Sequence, residues 1–316
     1  MPETGARIVV VGSFVQACCW HLQHLPGPGE TTLAPAFSTE PAGKGLAVAV
    51  GCRRLDIQVD LLLAIGRDAA GDGLLSFLAA CDISAEHVHR KTTHSGHGAG
   101  LIDATGENMI AVYPGANQEL GSDDVRQADD AISRASLVYG QLEAPPPAVA
   151  AAFVVARRYG VRTVLNPSPW RELPPDLLAH TDILIVNIVE AGLLFERSLP
   201  PARKDRLAAI SAGMASLHSR WNGELLVVTM GEQGSAAFSR DGTFVEALAT
   251  GVRTTNTLGA GDAFSAGWCV ALATGEPVRR ALALANNCGA YAVTTPGILD
   301  GLPFLADLDR LFRPAT

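Results

Sequence analysis

Apolar residues along this chain fall into short unbroken runs more often than into strict alternation. Ile8, Val9, Val10 and Val11 form the first run, which stops at Gly12 and Ser13. Runs of the same kind recur at 59–65, 137–140, 163–165, 183–186 and 224–229. Short apolar runs closed by turn residues fit strands buried on both faces. Helical stretches lie between them: 44–53, built from small apolar residues, then 73–80, 147–158, 190–196 and 262–274. Strands separated by helices of this length predict a doubly wound α/β fold, a mostly parallel sheet with helices on both faces.

Two regions break the rhythm. Residues 14–40 carry Pro26, Pro28 and short apolar pieces, and 98–113 alternates like a hairpin around Ala104 to Glu107. Both read as β segments projecting from the edge of the sheet. The expected organisation is a single α/β domain over 1–316 with a small discontinuous β lid from about 14–40 and 94–115 inserted in it. Exposed strand edges seek partners, so a homodimer through the lid is expected.

Composition narrows the function classes. Apolar residues make up 48% and charged residues 18% of the 316, which excludes a disordered chain. With 24 basic against 32 acidic residues the net charge is −8, and no basic run tracks a nucleic-acid backbone. The charge-free stretch 8–29 is broken by Gly12, Gln16, His21, Pro26 and Pro28, so it is not read as a membrane span. Arg7 followed by Ile8–Val11 faintly imitates a secretory signal, but Glu3 precedes it and Gly12-Ser13 ends the run too soon. It therefore reads as a first strand and the protein as cytoplasmic. The six cysteines lack paired spacing and read as reduced core thiols. Cys18, Cys19, His21 and His24 invite a metal reading. Adjacent cysteines on an extended chain point to opposite sides, however, so packing in the lid is the preferred role.

The most informative run is Asn256 to Gly267. Gly259, Ala260 and Gly261 precede a small-residue helix, where backbone N–H groups converge on an anion at the positive end of the helix dipole. Asp262 follows in the first helical turn, where an acid can also act simply as a cap. A second glycine-rich turn, Thr229 to Gly234, follows the last long strand. Two such turns at C-terminal strand ends suit a phosphorylated ligand in an open α/β sheet.

With these residues in view, the chain resembles the ribokinase-like (PfkB) carbohydrate kinases over its whole length. Asn256 to Asp262 is similar to that family's signature Asp-Thr-x-Gly-Ala-Gly-Asp. Ala42 to Gly45, Pro26 to Thr31, Gly66 to Gly71, Tyr113 to Asn117, Asn166 to Pro169 and Asn187 to Glu190 match further motifs in family order. The resemblance implies a doubly wound domain with a β lid. It also implies ATP-dependent phosphorylation of a hydroxymethyl group on a sugar, sugar derivative or nucleoside. Asp262 would take the hydroxyl proton, with an ordinary carboxylate pKa sufficing, while Gly259, Ala260 and Gly261 hold the transferring phosphoryl group. Asn187 and Glu190 would organise Mg²⁺ through waters, although a strand-end Asn and a helix-start Glu can be purely structural. Thr229, Gly231 and Gly234 would line the nucleotide phosphates, with Asn286 near the adenine.

Departures from the family pattern concentrate on the substrate side. Ala17 and Ala47 stand where relatives commonly place sugar-binding Asp and Asn, and a methyl group makes no hydrogen bonds. Plain ribose is therefore not the expected acceptor. Gly43, Lys44, His97 and Glu143 are the candidate substrate contacts, and Gln16 is expected on the face opposite Ala17. Asn256 replaces the usual Asp associated with a monovalent cation, which argues against activation by K⁺. The competing reading is a catalytically silent metabolite-binding regulator on the same fold.

Overall fold

The computed structural model describes residues 5–255, 257–295 and 297–312. A nine-stranded sheet forms its centre. In chain order the strands are β1 (Arg7–Val11), β2 (Val15–His21), β3 (Ala36–Ala42), β4 (Gln58–Ile65), β5 (Val88–Arg90), β6 (Gly96–Ile102), β7 (Asn108–Tyr113), β8 (Leu137–Gln141), β9 (Arg162–Asn166), β10 (Ile183–Asn187), β11 (Leu225–Thr229), β12 (Ser235–Ser239) and β13 (Phe244–Ala247). The helices are α1 (Lys44–Arg54), α2 (Ala69–Ala80), α3 (Ser122–Gln127), α4 (Asp129–Ser133), α5 (Pro146–Arg158), α6 (Pro175–Ala179), α7 (Ile188–Leu194), α8 (Arg203–Leu217), α9 (Ala260–Ala273), α10 (Val278–Ala292) and α11 (Leu305–Phe312).

The large sheet runs β13-β12-β11-β10-β9-β8-β1-β4-β5. It is parallel from β11 to β5, and β12 and β13 close one edge as an antiparallel hairpin. Alternation along β1 shows why helices cover both faces. Ile8 and Val10 join the core beneath α1, α9 and α10, whereas Val9 and Val11 join the core beneath α5 and α8. Each apolar strand thus feeds two cores, as its unbroken run requires. Among the described residues no helix is long and apolar enough to cross a membrane.

A separate four-stranded sheet, ordered β3-β2-β6-β7, takes its strands from the two regions that broke the sequence pattern. Its base is tied to the large sheet. Asn117 accepts from the Phe14 amide at 2.8 Å and donates to the Phe14 carbonyl at 2.6 Å, fixing the corner between β1 and β2. Asp68 caps α2 through the Gly71 amide at 2.9 Å and also receives the Ser95 amide and hydroxyl at 2.8 and 2.7 Å. Burial pushes the Asp68 carboxyl up, but donors from Ser95 and Gly71 outweigh it and hold the pKa at about 2. The glycine turn at 66–71 is therefore a joint between the sheets.

Candidate active site

The parallel strands end together, and their C-terminal edge gathers the polar residues. Asn166 ends β9, Asn187 ends β10 and Thr229 ends β11. Facing them is the N-terminus of α9, entered through Gly259 at φ 78°, a left-handed conformation suited to glycine. Two cavities meet there. One of about 250 Å³ is lined by Lys44, Asn166, Asn187, Glu190, Gly259 and Asp262. A larger one of about 670 Å³ holds Gly231, Gly234 and Asn286 in its wall. Thr229, Thr257 and Gly261 line both, so the α9 turn is the threshold between them.

Asp262 is 8% exposed at that threshold. Burial pushes its pKa up to about 6, the Lys44 ammonium opposes the rise, and the Glu143 carboxylate adds to it. An ordinary carboxylate pKa would suffice for the base, and burial at the start of α9 raises this one above it.

Asn187 and Glu190 form a reciprocal cap on α7. The Glu190 amide donates to Asn187 Oδ1 and the Asn187 amide to Glu190 Oε2, both at 2.9 Å. The structural role is therefore real. Both residues also line the smaller cavity, where they present hard oxygen donors suited to Mg²⁺. Among the described residues no cluster of three or more His, Cys, Asp or Glu could hold a metal by itself. The donor set fits an ion that keeps most of its shell as water and phosphate oxygen.

The substrate-side candidates separate on inspection. Glu143 Oε2 accepts from the Ser13 hydroxyl at 2.6 Å and from the Lys44 amide at 2.9 Å, clamping the end of β1 to the start of α1. Gly43 caps α1 at φ 125°, and a Cβ there would lie 2.4 Å from the Ser13 carbonyl oxygen. Ala47 is fully buried and belongs to the core. Ala17 pairs with Glu40 on β3 and Gly98 on β6, so these three share one face of the small sheet. His97 pairs with Gln16 and Tyr113 on the other face, its Nδ1 2.9 Å from the Ser95 carbonyl oxygen. A one-residue step along the strand thus puts His97 on the face opposite Ala17.

Asn286 does line the larger cavity, but its amide is committed internally. It accepts from Ser235 Oγ at 2.9 Å and donates to the Ala247 and Leu248 carbonyls at 3.1 and 3.2 Å. Its present work is to brace the cavity wall. Cys18 and Cys19 point to opposite faces of β2, while His21 contacts Ser38 at 3.4 Å and His24 contacts Glu30 at 2.8 Å. Asn256 lies outside the described residues. Asn166, Ser168, Thr257 and Ser265 also line the small cavity and were not singled out from the sequence as site residues. The signals for them were the Asn166–Pro169 motif, which begins at the end of β9, and the Asn256–Gly267 run that contains Thr257 and Ser265.

Comparison with known proteins agrees with this geometry. The family described as pfkB family carbohydrate kinase matches residues 6–305. The chain is 30% identical over 314 residues to a ribokinase of Schizosaccharomyces pombe, spanning 97% of this chain and 98% of that one. Its fold is similar to that of Arabidopsis thaliana ribokinase complexed with ribose and ATP, with a TM-score of 0.88 at 23% identity over 99% and 100% of the two chains. It is also similar to Cryptococcus neoformans ribokinase in complex with ADP, with a TM-score of 0.78 at 26% identity over 98% and 99%. The chain belongs to the pfkB family of carbohydrate kinases, phosphotransferases whose acceptor is a sugar hydroxyl.

Proposed function

We propose that this chain transfers the γ-phosphate of ATP to a hydroxymethyl group of a sugar, sugar derivative or nucleoside other than plain ribose. One observation carries the reading: buried Asp262, in the first turn of α9, lines the smaller cavity beside Gly261, which lines both cavities. The larger cavity has room for a nucleotide, with Thr229, Gly231 and Gly234 beside its phosphates and Asn286 bracing the wall near the base. The relative with ADP bound supports the nucleotide. The acceptor occupies the Lys44 side.

Asp262 takes the acceptor hydroxyl proton as the oxygen attacks the γ-phosphorus and the bond to the β-phosphate oxygen breaks. The amides of Gly259, Ala260 and Gly261 receive the charge spread over the transferring group. Lys44 adds a compensating cation. Asn187 and Glu190 would hold Mg²⁺, which when bound neutralises phosphate charge. The small sheet serves as a lid inserted in a single catalytic domain. The Ala17 methyl leaves a pentose hydroxyl unpaired, at a cost of about 1–3 kcal/mol for each lost partner. The six cysteines are free thiols, which suits a cytoplasmic enzyme.

The test is acceptor-dependent ADP formation across a panel of alcohols, followed from pH 5 to 8. Because Asp262 must be ionised to accept a proton, kcat/KM is expected to fall about tenfold per pH unit below an inflection near pH 6. Tight binding of a metabolite with no ADP formation from any alcohol would overturn the proposal in favour of a silent regulator.

The quaternary proposal rests on β7, one of the two edge strands of the small sheet, where Met109, Ile110, Val112 and Tyr113 are exposed. Light scattering at micromolar concentration is expected to give twice the mass of one chain. A monomeric mass would remove the lid-to-lid dimer.

A further inference from the structure

Around Ala17 the face of the small sheet offers few polar groups, with Cys19, Ser38 and His21 lying farther along β2 and β3. Ala17, Gly98 and Gly96 offer no polar side chain, and Ala42 is buried. From this floor one long acidic side chain rises, Glu40, directly across the ladder from Ala17. Glu40 is half-buried, and none of the hydrogen bonds found among the described residues involves its carboxylate. Its charged neighbour outside the sheet is Asp300. Asp300 belongs to the loop whose Ile298 packs within 3.6 Å of where a Gly259 Cβ would stand. β3 leads through Gly43 into Lys44, which lines the smaller cavity, so Glu40 lies on the stretch of the small sheet next to the acceptor side.

We propose, on the reading that this is a sugar-type kinase, that Glu40 is the acceptor-recognising carboxylate of the small sheet. It takes a hydrogen-bond donor, hydroxyl or ammonium, from an acceptor that reaches toward β3. Adjacent strands are about 4.8 Å apart, and the extra methylene of Glu over Asp spans only a fraction of that. A carboxylate on β3 therefore meets a different part of the acceptor from one at position 17. The pocket selects an acceptor whose donor is displaced toward β3, which is why a pentose without such a group fits poorly. Burial and the like charge of Asp300 both push the Glu40 carboxyl up, so a donor from the acceptor relieves an unpaired anion.

The experiment uses the full chain with D-ribose and D-glucosamine as probes. Glu40→Ala is expected to raise KM for the better probe by about tenfold, while KM for ATP moves by less than about twofold. Glu40→Gln separates the two donor chemistries. It retains binding of a hydroxyl donor but is as poor as Glu40→Ala for an ammonium. Moving the carboxylate back in Ala17→Asp/Glu40→Ala is expected to shift preference toward ribose. An acceptor KM within about twofold of the parent in Glu40→Ala, for both probes, overturns the proposal. If the parent forms no acceptor-dependent ADP, the kinase reading itself has failed, and calorimetry with the same probes decides the role of Glu40. Binding by the parent but not by Glu40→Ala upholds it, and equal binding, or none by either protein, overturns it.

Discussion

Asp262→Asn is expected to lower kcat by about a thousandfold while changing KM for acceptor and nucleotide by less than about threefold. Asn keeps the size and polarity of the side chain and the path of α9, but it accepts no proton from the acceptor. Stability moves the other way. Burial raises the folded pKa to about 6, above the ordinary 3.8, so the folded protein holds this proton more tightly than the unfolded chain. The resulting penalty is absent below the unfolded value, grows as pH rises, and is complete above about 6. At pH 7 it amounts to roughly 2–3 kcal/mol for a buried group shifted this far. The neutral amide escapes it, so Asp262→Asn should melt at or above the parent at pH 7 and lose that advantage near pH 4. A variant that is both stable and as active as the parent would show that the base has been misassigned.

What the sequence revealed, and what it did not, divides along the range of the interactions involved. The runs at 8–11 and 183–186 became β1 and β10, because a buried parallel strand must be apolar on both faces. The α9 turn was legible from glycines and an acid adjacent in sequence, and the structure brings Asp262, Asn187 and Glu190 to one cavity. The β12–β13 hairpin, α8 and α10 went unread. Helix α8 gathers its charges in its first turn and mixes Ser and Gly into the apolar remainder, and the hairpin interrupts the strand-helix alternation that predicted the rest. The faces of the small sheet were the least accessible feature. Whether His97 or Gly98 accompanies Ala17 depends on pairing between strands some 80 residues apart in the chain, and one step of register exchanges the faces. Glu40 was hidden for the same reason. The pKa of Asp262 likewise depends on burial by elements distant in sequence.

Gly45→Ala is expected to be severely destabilising. A Cβ at position 45 would lie 2.2 Å from Gly12 Cα and 2.9 Å from the Ser13 amide nitrogen. These are backbone atoms just past the end of β1, where the chain crosses the first turn of α1, and no side-chain rotation relieves the overlap. Relief requires α1 to back away from β1. That would loosen the packing of Leu46, Val50 and Cys52 and stretch the Ser13–Glu143–Lys44 clamp. Overpacking of this severity costs about 3 kcal/mol or more. For a chain of this size the drop in Tm is about 5–10 °C. Lys44 moves with the helix, so any folded fraction should also show weakened acceptor binding. Gly73→Ala is the control, because a Cβ there meets nothing within 4 Å and lies inside α2. Alanine at that position should leave Tm unchanged or raise it slightly, since glycine is the poorer helix former by about 0.5–1 kcal/mol. Equal melting temperatures for the two variants would mean that β1 and α1 do not cross as closely as Gly12 and Gly45 allow.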